Sequence, residues 1–201
     1  MKILILKAAD ELFITYGLRS VTMEDIAKKL AISKKTIYQF FEDKDALVKN
    51  IVQEKLNEQT AAMERISKES IDPIDEVLRM SIYIKEAMGK LHPSVVYDME
   101  KFFPKSYALF IDHKECCFKD SFITNLEQGI KLGLYRANIN PYLLAIMRMN
   151  QIETAFNPNL FPPDKFKLQD IQVEFIMHFL YGICTLKGHK LINKYHHINE
   201  D

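Results

Sequence analysis

Lys28, Lys29, Lys34 and Lys35 bring four positive charges into the window from Lys28 to Gln39, which holds no Asp or Glu. Ser33, Thr36, Tyr38 and Gln39 are interleaved with them. Ammonium and hydroxyl groups suit phosphate oxygens, while amides and lysines can also bond base edges in a major groove. These residue types point to a nucleic-acid surface. Lys34, Lys35 and Gln39 are the candidates for base edges, and Thr22, Tyr38 and Lys44 the candidates for phosphates. Ser33 and Thr36 suit either role. A lysine cluster alone is an ordinary solvated face, so the weight falls on the elements that would position it.

Those elements are marked by caps and corners. Ile5, Ala9, Leu12, Phe13 and Tyr16 recur at helical spacing over residues 3–16, and Gly17 is a natural stop. Thr22 offers an N-cap with Asp25 three residues later, a shortened capping box. Met23, Ile26, Ala27 and Leu30 then form the apolar face of a two-turn helix. After the corner Ala31-Ile32-Ser33, Ser33 is the next N-cap. A short helix over 34–40 follows, with Ile37 and either Phe40 or Phe41 facing inward. Two helices joined by a tight corner, the second short and basic, make a helix-turn-helix pattern. Glu42-Asp43 caps a long helix expected over 44–67.

Beyond it the spacing predicts helices over 73–90, 94–102, 105–131, 141–156 and 168–187, punctuated by Asp72-Pro73, His92-Pro93, Pro104, Gly133, Asn140-Pro141 and Gly188. No stretch alternates long enough for a strand. The fold class is therefore all-α: an N-terminal three-helix helix-turn-helix DNA-binding domain over residues 1–46, then a larger helical domain over 47–201.

The bulk composition adds exclusions. Lys plus Arg equal Asp plus Glu at 27 each, so the basic character is local. Cys116, Cys117 and Cys184 have no framework spacing, which favours a reducing compartment, with the adjacent pair as buried filler. His196-His197 has no Cys or carboxylate at metal-ligand spacing, with Glu200 and Asp201 at the end, so neither metal nor cofactor is expected. The apolar run at the start is too short for a secretory signal, and no run reaches the length of a membrane span. A cytoplasmic location is expected. No HExxH, P-loop, GxGxxG or GxSxG motif supports an enzyme.

Three segments carry a family resemblance. They are Ile5-Leu6-x-Ala8-Ala9-x-x-Leu12-Phe13-x-x-x-Gly17, Thr22-x-x-x-Ile26-Ala27, and Ile32-Ser33-x-x-Thr36-Ile37-Tyr38-x-x-Phe41-x-x-Lys44-x-x-Leu47. Together they resemble the N-terminal signature of TetR-family transcriptional regulators. Ala31 departs from it, standing where the family usually has glycine, and only Lys2 is available for the basic arm that many relatives carry. The resemblance implies a homodimer on a double-stranded DNA operator, released by a small-molecule effector, with the C-terminal helices forming interface and pocket. Gly129-Ile-Lys-x-Gly133-Leu-Tyr-Arg136 is also similar to the family's C-terminal half.

On that basis Tyr83, Tyr97, Phe102, Phe103, Phe110, His113, Phe118, Phe122 and Met147 are candidate effector contacts, suited to a largely apolar ligand. Ile146, Met149, Ile152 and Phe156 on one helix, with Ile176, Phe179, Ile183 and Leu186 on another, are candidates for the dimer interface. Two alternatives stay open: a DNA-binding dimer regulated by a protein partner, and a helical enzyme without local motifs.

Overall fold

A computed structural model describes residues 1–195, so the reading placed on His196, His197, Glu200 and Asp201 lies outside the described residues. The helices are α1 (Lys2–Tyr16), α2 (Met23–Leu30), α3 (Lys34–Tyr38), α4 (Lys44–Glu69), α5 (Pro73–Gly89) and α6 (Val95–Phe102). They continue as α7 (Pro104–His113), a π-helical segment (Lys114–Phe118), α8 (Lys119–Lys131), α9 (Pro141–Thr154), α10 (Leu168–Ile183) and α11 (Leu186–Tyr195). An isolated bridge between Tyr135 and Cys184 is the only β pairing among the described residues. The chain divides into two compact units. One comprises Met1–Gln59 and Lys90–His113; the other comprises Thr60–Gly89 and the chain from Lys114 onward.

In the first unit α1 turns Ile5, Ala9 and Phe13 inward, while Tyr16, its last residue, is solvent-exposed. Thr22 and Asp25 form the capping box in full. Thr22 Oγ1 accepts from the Asp25 N–H at 3.2 Å, and Asp25 Oδ2 accepts from the Thr22 N–H at 2.8 Å. Each such cap is worth about 1 kcal/mol. The chain turns the corner with Ala31 at φ 53, ψ 40, the left-handed region, so an alanine occupies a glycine's conformation. Ser33 Oγ then accepts from the Thr36 N–H at 3.1 Å. On α3 Ile37 is fully buried; of the two following rings Phe41 faces inward at 2 % exposure and Phe40 outward at 41 %. Asp43 Oδ1 caps α4 through the Ala46 N–H at 2.7 Å.

The second unit is built around Ile74, Leu126, Leu180 and Ile192, contributed by α5, α8, α10 and α11. Full burial of each such side chain contributes roughly 1.5–3 kcal/mol. A polar link pins α5 to α8. Tyr135 donates its hydroxyl to the Pro73 carbonyl at 3.1 Å and to Asn125 Oδ1 at 3.0 Å. Asn125 Nδ2 donates to Glu76 Oε2 at 2.7 Å and to the Pro73 carbonyl at 3.0 Å. The Tyr135 ring lies against Gly129 so closely that a Cβ there would sit 2.0 Å from its Cδ2. The C-terminal motif around Gly129 thus encodes a ring packed on a bare helix backbone.

Three sequence-based expectations give way. The helix expected over 105–131 contains the π-helical segment, whose wider turn places Lys114 and Phe118 on the inside. The same segment turns Cys116 out to solvent and leaves Cys117 half-exposed, so the adjacent pair is not buried filler; the buried thiol is that of Cys184. Finally, Gly188 does not close the last helix. Cys184 becomes extended to pair with Tyr135, and α11 restarts with Thr185 Oγ1 accepting from the Gly188 N–H at 3.2 Å. A Cβ on Gly188 would lie 2.4 Å from the Leu134 carbonyl oxygen, so that contact requires glycine inside the helix.

Two stability predictions follow from the corner and its cap. Replacing Ala31 by Gly removes the left-handed strain and is expected to stabilise the protein by up to about 1 kcal/mol in urea denaturation; a neutral or lower midpoint would deny strain at φ 53. The Asp25 carboxyl is held below its usual range by the Thr22 hydroxyl and backbone N–H. Its stabilisation is therefore complete above the unfolded value of about 3.9 and disappears as pH falls through the depressed folded value. The stability gap between the parent and Asp25→Asn should be constant at neutral pH and shrink below about pH 4. A gap independent of pH down to 2 would show that the carboxylate contributes no proton-linked stability.

Candidate nucleic-acid interface

Thr22, Lys34, Tyr38 and Lys44 come together around one shallow cleft of about 290 Å³, which Arg19, Val21, Met23 and Glu24 also line. The caps produce this assembly. The box at Thr22 sets the start of α2 and the left-handed corner at Ala31 sets the start of α3, so the first turns of both helices border one depression. Tyr38 is 51 % exposed. Ser33, Lys35, Thr36 and Gln39 do not line the cleft. Lys35 on α3 and Gln39 at its C-cap are exposed, and the Ser33 and Thr36 hydroxyls are 2.9 Å apart, engaged with each other.

The acid-free window is less free in three dimensions. Lys29 meets Glu11 of α1 at 2.7 Å, and Lys34 meets Glu24 of α2 at 3.0 Å. The Glu24 carboxylate raises the Lys34 pKa, which keeps that lysine charged. Both pairs are exposed, and such pairs are worth ~0–1 kcal/mol, so a phosphate can displace either carboxylate at little cost. Lys28 and Lys35 have no ion pair among the described residues.

Lys44 is held differently. It is half-buried, donates to the Arg19 carbonyl at 3.3 Å, and lies over the rings of Phe13 at 5.8 Å and Phe103 at 5.3 Å. Burial lowers its pKa, and Asp98, Asp45 and Asp25 oppose that shift. Two aromatic faces and one carbonyl thus aim a single ammonium at the cleft.

Arg19 and Asp98 were not among the sequence-picked residues. The buried Asp98 carboxylate accepts from the Arg19 N–H at 3.3 Å and from Ser94 Oγ at 2.9 Å. The Arg19 guanidinium stacks 4.7 Å from the Phe102 ring centroid. Arg19, a cation just ahead of a helix cap, was readable had the window been widened. Asp98 lies on α6, far along the chain, and carried no local signal.

The regulatory candidates scatter. Tyr97, Phe102, Phe110 and His113 belong to the first unit; Tyr83, Phe118, Phe122 and Met147 belong to the second. Phe102 is the platform under Arg19, and Phe103 lies beneath Lys44. Tyr97 and Met147 are exposed, Phe118 is core, and Phe122 meets Phe179 edge-on at 5.2 Å. Phe110 and His113 are half-buried, and burial lowers the His113 pKa.

Among the dimer candidates, Met149, Ile176, Phe179 and Ile183 are buried in the second unit's own interior, and Ile152 and Phe156 are half-buried. The apolar residues left outside are Tyr142, Leu143, Ile146 and Met147 on α9, Tyr181 on α10, and Leu186 on α11. Ile146 and Leu186, both among the expected interface residues, are thus exposed, while four of the other six are buried.

Known proteins match this organisation. The model of the bacterial regulatory proteins of the tetR family matches residues 5–51, the segment that builds the cleft. An uncharacterized HTH-type transcriptional regulator of Bacillus subtilis, YvaF, is 27% identical over 175 residues, covering 83% of this chain and 86% of its own length. Among solved structures, a TetR-family transcriptional regulator from Agrobacterium tumefaciens superposes with a TM-score of 0.74 at 19% identity, covering 92% of this chain and 97% of the other. The transcriptional regulator FadR of Bacillus subtilis, in complex with stearoyl-CoA, gives 0.64 at 16% identity, with 91% and 100% covered. The chain is similar to transcriptional regulators of the TetR family, through the family model over residues 5–51 and through relatives along most of its length.

Proposed function

We propose that the protein is a homodimeric repressor that binds a palindromic operator and is released by a small, largely apolar effector. Residues 1–46 read DNA in this proposal, and residues 47–201 sense the effector and dimerise. The observation that carries it is the cleft, where three cations (Arg19, Lys34, Lys44) and two hydroxyls (Thr22, Tyr38) converge at the starts of α2 and α3. That composition fits a backbone phosphate. Thr22, Tyr38, Lys44 and the newly identified Arg19 hold register on phosphates. Lys35 and Gln39, exposed on the outer side of α3, reach base edges, and Lys34 stands between the two roles. Ser33 and Thr36 position the first turn of α3.

A palindromic site calls for a two-fold protein. The exposed apolar stripe of Tyr142, Leu143, Ile146 and Met147 on α9 supports a dimer through this face, with Tyr181 of α10 alongside. The effector reading draws support from FadR, a neighbour captured with an acyl-CoA.

Lys35→Ala combined with Tyr38→Phe should weaken operator binding by about tenfold or more and reduce the slope of log K against log salt by roughly one, as for one lost phosphate contact. Fluorescence anisotropy across a salt series checks this; parental affinity in the double variant would remove α3 as the reading helix. Leu143→Glu with Ile146→Glu should convert the dimer to a monomer in sedimentation velocity and abolish tight operator binding. A double variant that still sediments as a dimer would place the interface elsewhere.

A further inference from the structure

The inward stripe of α9 is Ala145, Arg148, Met149, Ile152 and Ala155, the spacing by which a helix meets its core. Four of these five are apolar, and the fifth is an arginine. Arg148 is 4 % exposed, its Nη1 has no hydrogen-bond partner, and no ion pair to it exists among the described residues. One turn further on, Gln151 Oε1 is also buried and unsatisfied. Burial lowers the Arg148 pKa to about 10, which leaves the guanidinium charged at neutral pH.

The carboxylate that follows Arg148 on its own helix, Glu153, is engaged elsewhere. Lys114, buried on the π-helical segment that packs against α9, takes Glu153 and also pairs with Glu115 at 3.2 Å. An uncompensated buried charge is among the costliest features a core can hold, and an apolar side chain of similar size would relieve it. Such a group calls for a physical reason, and a partner from outside the chain supplies one.

We propose that Arg148 and Gln151 form the polar end of the effector site, and that the effector is an acid: a carboxylate for Arg148 beside a hydroxyl or amide N–H for Gln151, on an apolar body. This rests on the reading of the second unit as effector-binding and names the chemistry of its ligand. A guanidinium donates two parallel hydrogen bonds to a carboxylate and none as strong to a neutral amide. The acid group therefore supplies specificity, and the apolar body supplies burial.

N-decanoylglycine and its neutral primary amide form a matched pair of probes, differing only in the carboxylate. In calorimetry and thermal shift with the full-length protein, the acid should bind about tenfold or more tighter than the amide. Arg148→Met should erase that difference. Without any ligand, Arg148→Met should also raise Tm by about 2–4 °C, since it removes an unpaired buried charge. Arg148→Gln, neutral but polar, should lose the same discrimination. Equal binding of acid and amide, or no binding of either, overturns the proposal. So does a lower Tm or failure to fold in Arg148→Met, because the arginine would then be structural. Operator binding by the ligand-free parent is measured alongside. Its absence would sink the repressor reading, whichever way the acid–amide comparison falls.

Discussion

Helices of eight and five residues do not persist in water by themselves, since nucleation is unfavourable and too few turns repay it. α2 and α3 therefore exist through what their ends and inner faces are given. The ends are closed by Thr22–Asp25 and Ser33–Thr36, which satisfy N–H groups that a helix start leaves open. The inner faces bury Ile26 and Ile37 completely. Because each cap fixes the direction in which its helix departs, the two caps and the left-handed Ala31 between them decide where Thr22, Lys34 and Tyr38 point. The cleft follows from backbone satisfaction.

Charge in this region behaves as a reservoir. The fold returns Glu11 and Glu24 to two of the four lysines, so the free surface is held by weak exposed pairs. Such pairs keep long side chains extended near the positions a phosphate would take, and they exchange readily. Lys44 follows the opposite strategy. Its ammonium lies over the Phe13 and Phe103 rings and has little freedom to lose on binding. One surface thus combines adaptable lysines with one rigid lysine, held by Phe13 of α1 and by Phe103, the residue that follows α6.

What could be read in the sequence was local. The caps at Thr22, Ser33, Asp43, Asp72 and Asn140 are bonded as their residue types implied, because a cap needs partners only two or three residues away. The features that were not legible depend on distant partners. The break between α10 and α11 arises because Cys184 pairs with Tyr135, and Gly188 is glycine because the Leu134 carbonyl approaches it. The π-helical segment lets Lys114 turn in toward Glu153 on another helix. On α9 the apolar residues lie on two faces, and only the packing against α8 and α10 tells Met149, inside, from Met147, outside. The family resemblance crossed that barrier for the fold, and it could not do so for the face of a single helix.

The second unit contains two kinds of buried polarity, and their contrast bears on function. Asn125 and Tyr135 are satisfied by the Pro73 carbonyl, Glu76 and each other. A closed network of this kind rigidifies its surroundings and specifies one packing of α5 on α8. On α9 the buried Arg148 and the half-buried Gln151 have Nη1 and Oε1 unsatisfied. The first network is closed and the second open, and an unsatisfied buried polar atom costs stability. If the proposed effector acts by shifting the protein between two states, such open groups are where it could bind one state better than the other, since differential affinity alone moves an equilibrium.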